Sequence, residues 1–137
     1  MNKLNKIPLT IEEAIEILYA AINQEELEEI KKSTPEKYHH TVGRYLRNSW
    51  SFWEDSPLRR DFIKRFKLFG HGDDLSGAVL KGLYAKCLGE DIGRAIQKQV
   101  DIEREHWSRW GLSPETGERV KESPANCVYY FKTEKRV

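Results

Sequence analysis

Long apolar runs and a cysteine framework are both missing from this chain of 137 residues. No run approaches the ~20 apolar residues that span a bilayer, and the first ten residues, MNKLNKIPLT, lack the apolar core of a secretory signal. The two cysteines, Cys87 and Cys127, have no CxxC neighbour, which excludes a disulfide framework and a CxxC metal site. A reducing compartment is the simplest setting, so we expect a soluble cytoplasmic protein that contacts no membrane.

The common catalytic and phosphate-binding motifs are absent as well. The chain contains no HExxH, no Walker A loop, no GxGxxG fingerprint and no GxSxG elbow, and we predict neither a bound metal nor a cofactor. A net charge of +1 argues against a strongly basic nucleic-acid binder. The charge is nevertheless uneven, because residues 1–34 carry seven acids against four bases and residues 35–70 carry eight bases against four acids.

What the chain does contain is a series of helix-start signals. Thr10 with Glu13 forms a capping box, Thr34-Pro35 and Ser56-Pro57 each place an N-cap before a proline, and Asp73 is predicted as an N-cap after a glycine-rich break. Apolar residues recur at helical spacing after each signal. The predicted helices cover residues 11–22, 24–32, 35–49, 57–70, 73–89 and 91–109.

The predicted fold is therefore mainly α, a compact bundle of five to six helices with a short C-terminal extended or β segment. We divide the chain into a helical domain, residues 1–111, and a C-terminal loop and extended tail, residues 112–137. Within the tail, residues 127–131 are aromatic and β-branched, a composition typical of a strand. Such a strand could pair near Arg119-Val120, add to another chain or pack as an extended arm.

The stretch from His39 to Ser76 concentrates the polar and aromatic side chains that could carry chemistry. Arg47-Asn48 places a guanidinium beside an amide, a pair that suits a carboxylate, a phosphate or a base edge. The competing interpretation is that Arg44 or Arg47 pairs with the two aspartates and only holds the loop before the fifth helix. The candidate ligand-binding residues are His40, Arg44, Arg47, Asn48, Trp53, Asp73, Asp74 and Ser76.

Three further features have a structural and a functional interpretation. Gly43 within a helix costs about 1 kcal/mol relative to alanine, which predicts a close approach by a crossing helix or by a ligand. The aromatics from Trp50 to Trp53 either close the core or stack bases. The basic face of the fourth helix is either solvated or meets a nucleic acid; it comprises Arg59, Arg60, Lys64, Arg65 and Lys67.

These residues resemble a small bacterial and phage domain family of unknown function. The family pattern has an Arg-Asn pair in a helix, aromatics ending in Trp, a helix containing Leu and Phe, and a His-x-Asp-Asp-x-Ser turn. Here the turn is His71 to Ser76, with Gly72 where the pattern has proline and Leu75 where it has methionine. The resemblance covers about residues 10–90 and implies a mainly helical intracellular domain. It implies no reaction.

We favour the interpretation of a small binding module. Its polar helical cleft would bind a nucleotide-like anionic small molecule or an acidic surface of a partner protein, and inhibition of a host factor by a phage-encoded protein is one role open to it. The first alternative is a hydrolase-type enzyme that uses His71, Asp73 and Asp74 with Arg47. The second alternative is nucleic-acid binding through the basic fourth helix.

Overall fold

The computed structural model describes residues 7–38, 42–50 and 54–122. Over these residues the chain forms six α-helices, which confirms the predicted mainly helical fold. They are α1 (Ile11–Ala21), α2 (Gln24–Lys31), α3 (Val42–Ser49), α4 (Pro57–Phe66), α5 (Gly72–Leu88) and α6 (Ile92–Arg109), with a 3₁₀ helix at Pro35–Tyr38. None of these helices combines the length and the apolar character needed to cross a bilayer. The strand predicted at residues 127–131 lies outside the described residues.

Side-chain caps begin the helices where the sequence predicts them. The hydroxyl of Thr10 accepts a hydrogen bond from the Glu13 backbone N–H at 3.1 Å, and Ser56 caps α4 in the same way with Pro57 as the first helical residue. Asp91 caps α6 through the backbone N–H of Arg94. Because each cap satisfies a backbone donor that has no partner within the helix, these signals set the helix starts correctly.

Three predicted helix boundaries are wrong. The third helix was predicted over residues 35–49, but Pro35–Tyr38 is a 3₁₀ helix and α3 begins at Val42. The other two errors have a local cause. Asp73 is not an N-cap: α5 begins at Gly72, and the imidazole Nδ1 of His71 accepts the hydrogen bond from the Asp73 N–H. The fourth helix stops at Phe66 rather than at Gly70, because Lys67 takes a left-handed conformation with φ 55°. The carbonyl of Gly70 instead accepts a hydrogen bond from the guanidinium of Arg59.

Helix α5 is the centre of the fold, and α1, α2, α3 and α6 all pack against it. Its apolar side chains are buried around most of its circumference, including Leu75, Val79 and Leu83. At Gly82 a Cβ atom would collide with Ile15 of α1 and lie 3.2 Å from Ile96 of α6. The absence of a side chain there lets both neighbouring helices approach α5 closely.

Residues 112–122 fold back onto the helical body. The Phe69 N–H donates to the Pro114 carbonyl at 2.9 Å, and an isolated antiparallel bridge joins Leu112 to Arg119. Gly117, with φ 75°, would bring a Cβ within 3.0 Å of the Phe69 ring. This part of the predicted tail is therefore in contact with the loop between α4 and α5.

Candidate functional site

Arg47 links α3 to the start of α5. Its guanidinium donates from Nη1 to the Ser76 hydroxyl at 2.9 Å, and its Nε lies 3.4 Å from Oδ1 of Asp73. Arg47 is only 8% exposed, and Ser76 is fully buried. The predicted proximity of Arg47 to the two aspartates is thus confirmed for Asp73, in an ion pair whose arginine is buried and whose aspartate is partly exposed.

Gly43, the second residue of α3, makes room for this contact. A Cβ at Gly43 would lie 2.9 Å from Arg47 Nη1 and 3.6 Å from a methyl group of Leu80 on α5. Gly43 therefore allows the Arg47 side chain to fold back along α3 and allows α5 to pack closely. This finding agrees with the crossing-helix interpretation of Gly43.

Asp74 contacts α6, whereas Asp73 contacts α3. Its carboxylate accepts a hydrogen bond from the indole Nε1 of Trp107 on α6 at 2.6 Å, and both side chains are buried. The rings of His71 and Trp107 stand 5.4 Å apart between centroids. The first turn of α5 is thus joined to α3 through Asp73 and to α6 through Asp74.

Glu103 on α6 is a buried carboxyl that sequence reasoning missed. It is 6% exposed, its Oε2 accepts a hydrogen bond from Gln99 at 3.0 Å, and its Oε1 has no hydrogen-bond partner among the described residues. Burial, and then the nearby charge of Asp74, raise the pKa of Glu103 well above its ordinary value. The carboxyl therefore stays protonated where most glutamates are ionised.

The signal that could have found Glu103 is its position on α6. It continues the buried apolar stripe of Ile96, Val100 and Trp107 at helical spacing. An acidic residue on such a face must be neutral or paired. Gly77 on α5 lies opposite, and a Cβ there would come within 3.0 Å of the Glu103 carboxyl.

The remaining predicted site residues are either exposed or outside the part of the chain that the structure describes. Asn48 is exposed on α3, His40 and Trp53 lie outside the described residues, and so does the side chain of Arg44. Trp50 is fully buried in the core, which supports the core interpretation for that tryptophan. No group of three His, Cys, Asp or Glu side chains is arranged to hold a metal ion in the part of the chain that the structure describes.

Much of the basic face on α4 is bound within the molecule. Arg65 reaches both carboxylate oxygens of Glu12 at 2.7 and 2.8 Å, and that hydrogen bonding lowers the pKa of Glu12. Arg60 pairs with Asp55 at 2.8 Å. Since Arg59 donates to the carbonyls that follow α4, three of the five basic side chains have internal partners.

A cleft lined by both charged and apolar side chains opens between α5 and α6, away from the Arg47 network. Its volume is about 560 Å³, and three basic side chains line it: Lys81 on α5, with Arg94 and Lys98 one turn apart on α6. Glu90 and Asp91 lie in its wall as well, but the Asp91 carboxylate caps the first turn of α6. The cleft also has an apolar surface, formed by Ala85, Ala95 and Ile102.

A profile of the domain of unknown function DUF6794 matches residues 7–87. The chain belongs to this family. The match confirms the resemblance to an uncharacterised domain family over nearly the same residues. No curated protein and no solved structure matches the chain.

The DUF6794 match includes α1 to α4 and nearly all of α5 but leaves out α6. Arg47, Asp73 and Ser76 therefore lie within the matched domain, whereas Trp107 and Glu103 lie beyond it. The α5–α6 cleft is shared between the two parts, with Lys81 inside the match and Arg94 and Lys98 outside it.

Proposed function

We propose that this protein is a binding module whose ligand is a nucleotide-like anionic small molecule held in the α5–α6 cleft. The observation that carries this proposal is the grouping of Lys81, Arg94 and Lys98 around a cleft of about 560 Å³. That volume lies within the range of ordinary small-molecule sites, roughly 300–1,000 Å³. The ligand class is the one expected from the sequence. The proposed site is different, because it lies near the C-terminal end of α5, whereas the sequence analysis expected it beside Arg47.

The chemistry of the two basic groups on α6 supports an anion. Arg94 and Lys98 are both exposed and make no ion pair among the described residues. A guanidinium donates two parallel hydrogen bonds to a phosphate or carboxylate, and an ammonium adds a compact charge that follows the anion. The apolar surface of Ala85, Ala95 and Ile102 can receive the flat face of a ring, which favours a ligand with both a ring and an acidic group.

The contacts of the Arg47 network favour a supporting role for it. Arg47 is buried and engaged with Ser76 and Asp73, and Asp74 is engaged with Trp107. These groups stabilise the junction of α3, α5 and α6. Their hydrogen bonds within the protein also support binding over the hydrolase alternative, since the His71 Nδ1 that a general base would use accepts the Asp73 N–H.

The contacts of α4 support a small ligand over a nucleic acid. A nucleic-acid surface draws its affinity from several basic groups that neutralise phosphates together. On α4, Arg60 and Arg65 are instead paired with carboxylates of the same chain. In the proposed role, a phage-encoded cytoplasmic module of this kind would inhibit a host factor by sequestering its small anionic ligand.

The test is isothermal titration of the full chain with ADP and with inorganic pyrophosphate. We expect saturable binding that the double variant Arg94→Gln/Lys98→Gln weakens by about a hundredfold or more, because each of the two charged contacts contributes roughly 1.5–3 kcal/mol. The matched control, Lys64→Gln/Lys67→Gln, removes two exposed charges, one from α4 and one from the residue that follows it, and should leave affinity unchanged. Absence of binding to both probes, or an equal loss in the control, would refute the proposal.

A further inference from the structure

A second concavity adjoins the first and differs from it in chemistry. It is a groove of about 200 Å³ between α2, the 3₁₀ helix and α5. Its walls are mainly apolar, and they include Ile22, Ile30, Tyr38, Val42, Leu80 and Leu83. Leu80 and Leu83 are buried core residues of α5, so the floor of the groove is part of the rigid centre of the fold.

Two carboxylates stand at the edge of this apolar groove. Glu26 and Glu29 both line it, and both are exposed. They belong to α2, whose sequence QEELEEIK carries four acids before its first base. The Glu26 carboxylate also accepts the backbone N–H of Asn23 in a capping box, which fixes its position near the start of the helix.

The two features together define the chemistry of an occupant. An apolar groove of this size has room for one large apolar side chain, and burial of such a side chain contributes roughly 1.5–3 kcal/mol. Carboxylates at the edge attract cationic residues on either side of it and repel acidic ones. Protein grooves commonly recognise a short segment of a partner by one anchoring side chain and by the charges that flank it.

We propose that the groove between α2 and α5 docks a segment of a partner protein that presents one large apolar side chain flanked by lysine or arginine. This interaction surface shares Pro35 and Tyr84 with the anion cleft. Its recognition nevertheless depends on Glu29 and Ile30 rather than on Arg94 and Lys98. A single chain would then hold a small anion in one cleft and a basic segment of a partner in the adjoining groove.

The experiment is selection of a random displayed-peptide library on the full-length protein, followed by affinity measurement on synthetic copies of the enriched peptides. We expect the enriched peptides to share a Phe, Trp, Leu or Met with Lys or Arg close on both sides. Glu29→Lys should weaken their binding by about tenfold, since charge reversal replaces an attraction with a repulsion. Ile30→Ala should weaken it as well, by removing part of the apolar wall.

Glu25→Lys is the matched control, because it makes the same charge change on the same helix at an exposed residue that does not line the groove. It should change affinity by no more than about twofold. Enrichment of acidic peptides, enrichment of none, or an equal effect of Glu25→Lys and Glu29→Lys would overturn the proposal. Self-association abolished by Glu29→Lys would also overturn it, by showing that the occupant is a second copy. The Arg94→Gln/Lys98→Gln variant should bind the peptides normally, which separates this test from that of the anion site.

Discussion

At the scale of single residues, burial decides which polar groups support the fold and which remain available to a ligand. Arg47 is 8% exposed and Asp73 is 30% exposed, so their pairing is only partly screened by water. Asn48, the next residue along α3, is exposed. Two adjacent side chains that have similar recognition chemistry in the sequence thus occupy opposite environments.

We predict that Arg47→Ala destabilises the protein by about 1–3 kcal/mol, because it removes the buried donor to the Ser76 hydroxyl and one partner of an ion pair that is only partly exposed. Asn48→Ala should change the free energy of unfolding by no more than about 0.5 kcal/mol. Urea denaturation of both variants beside the parent measures the difference. Equal, small effects of the two substitutions would show that the Arg47 network contributes little to stability.

The buried Glu103 leads to a pH-dependent prediction. Because its pKa is raised by burial and by Asp74, the folded state keeps the proton that the unfolded state releases. The contribution of protonated Glu103 to the free energy of unfolding is complete below the ordinary glutamate pKa. This contribution is lost as the pH rises through the raised pKa. We therefore expect Glu103→Gln to raise the Tm relative to the parent by a larger amount at pH 7 than at about pH 4. A Tm difference that is constant over this range, in thermal melts of both proteins, would contradict the assignment of a neutral carboxyl.

At the scale of helices, local signals predict most starts and ends, and the exceptions depend on contacts or backbone conformations that the local sequence does not reveal. Thr10, Ser56 and Asp91 are each followed by a helix because a cap depends only on the next few residues. The end of α4 at Phe66 depends instead on the left-handed Lys67 and on Arg59, which holds the carbonyl of Gly70 from the helix start. The sequence favours Asp73 as the cap of α5, because aspartate is a better capping residue type than histidine. In the structure the Asp73 carboxylate pairs with Arg47, and His71 forms the cap.

Close helix packing can be tested with two glycines in different surroundings. At Gly82 an added methyl group collides with Ile15, so Gly82→Ala should destabilise the protein by about 1–3 kcal/mol. At Gly93 the nearest atom is 3.6 Å away on Asp91, so Gly93→Ala should instead stabilise α6 by about 0.4–1 kcal/mol. Chemical denaturation should therefore show a lower free energy of unfolding for Gly82→Ala and a higher one for Gly93→Ala. A stabilising Gly82→Ala would show that α1 and α5 are not in close contact.

At the scale of the whole molecule, the helical fold follows from the sequence, and the site only in part. Apolar spacing and caps predict the helices, and opposite charges predict that Arg47 meets Asp73. The α5–α6 cleft was not predicted, because Lys81, Arg94 and Lys98 resemble ordinary exposed helix residues until the packing of α5 on α6 brings them together. The spacing of Glu103 from Val100 and Trp107 predicts a buried acid on α6, but this signal was overlooked.

Chemical-shift mapping of the isotope-labelled full chain during titration with ADP tests the proposed anion site most directly. We predict that the shifts concentrate on the backbone amides of the cleft, at Lys81, Tyr84, Arg94, Lys98 and Gln99, and that they disappear in the Arg94→Gln/Lys98→Gln variant. Shifts centred on Asn48 and Asp73 instead, or no saturable shifts at all, would contradict the assignment of the anion site to the α5–α6 cleft.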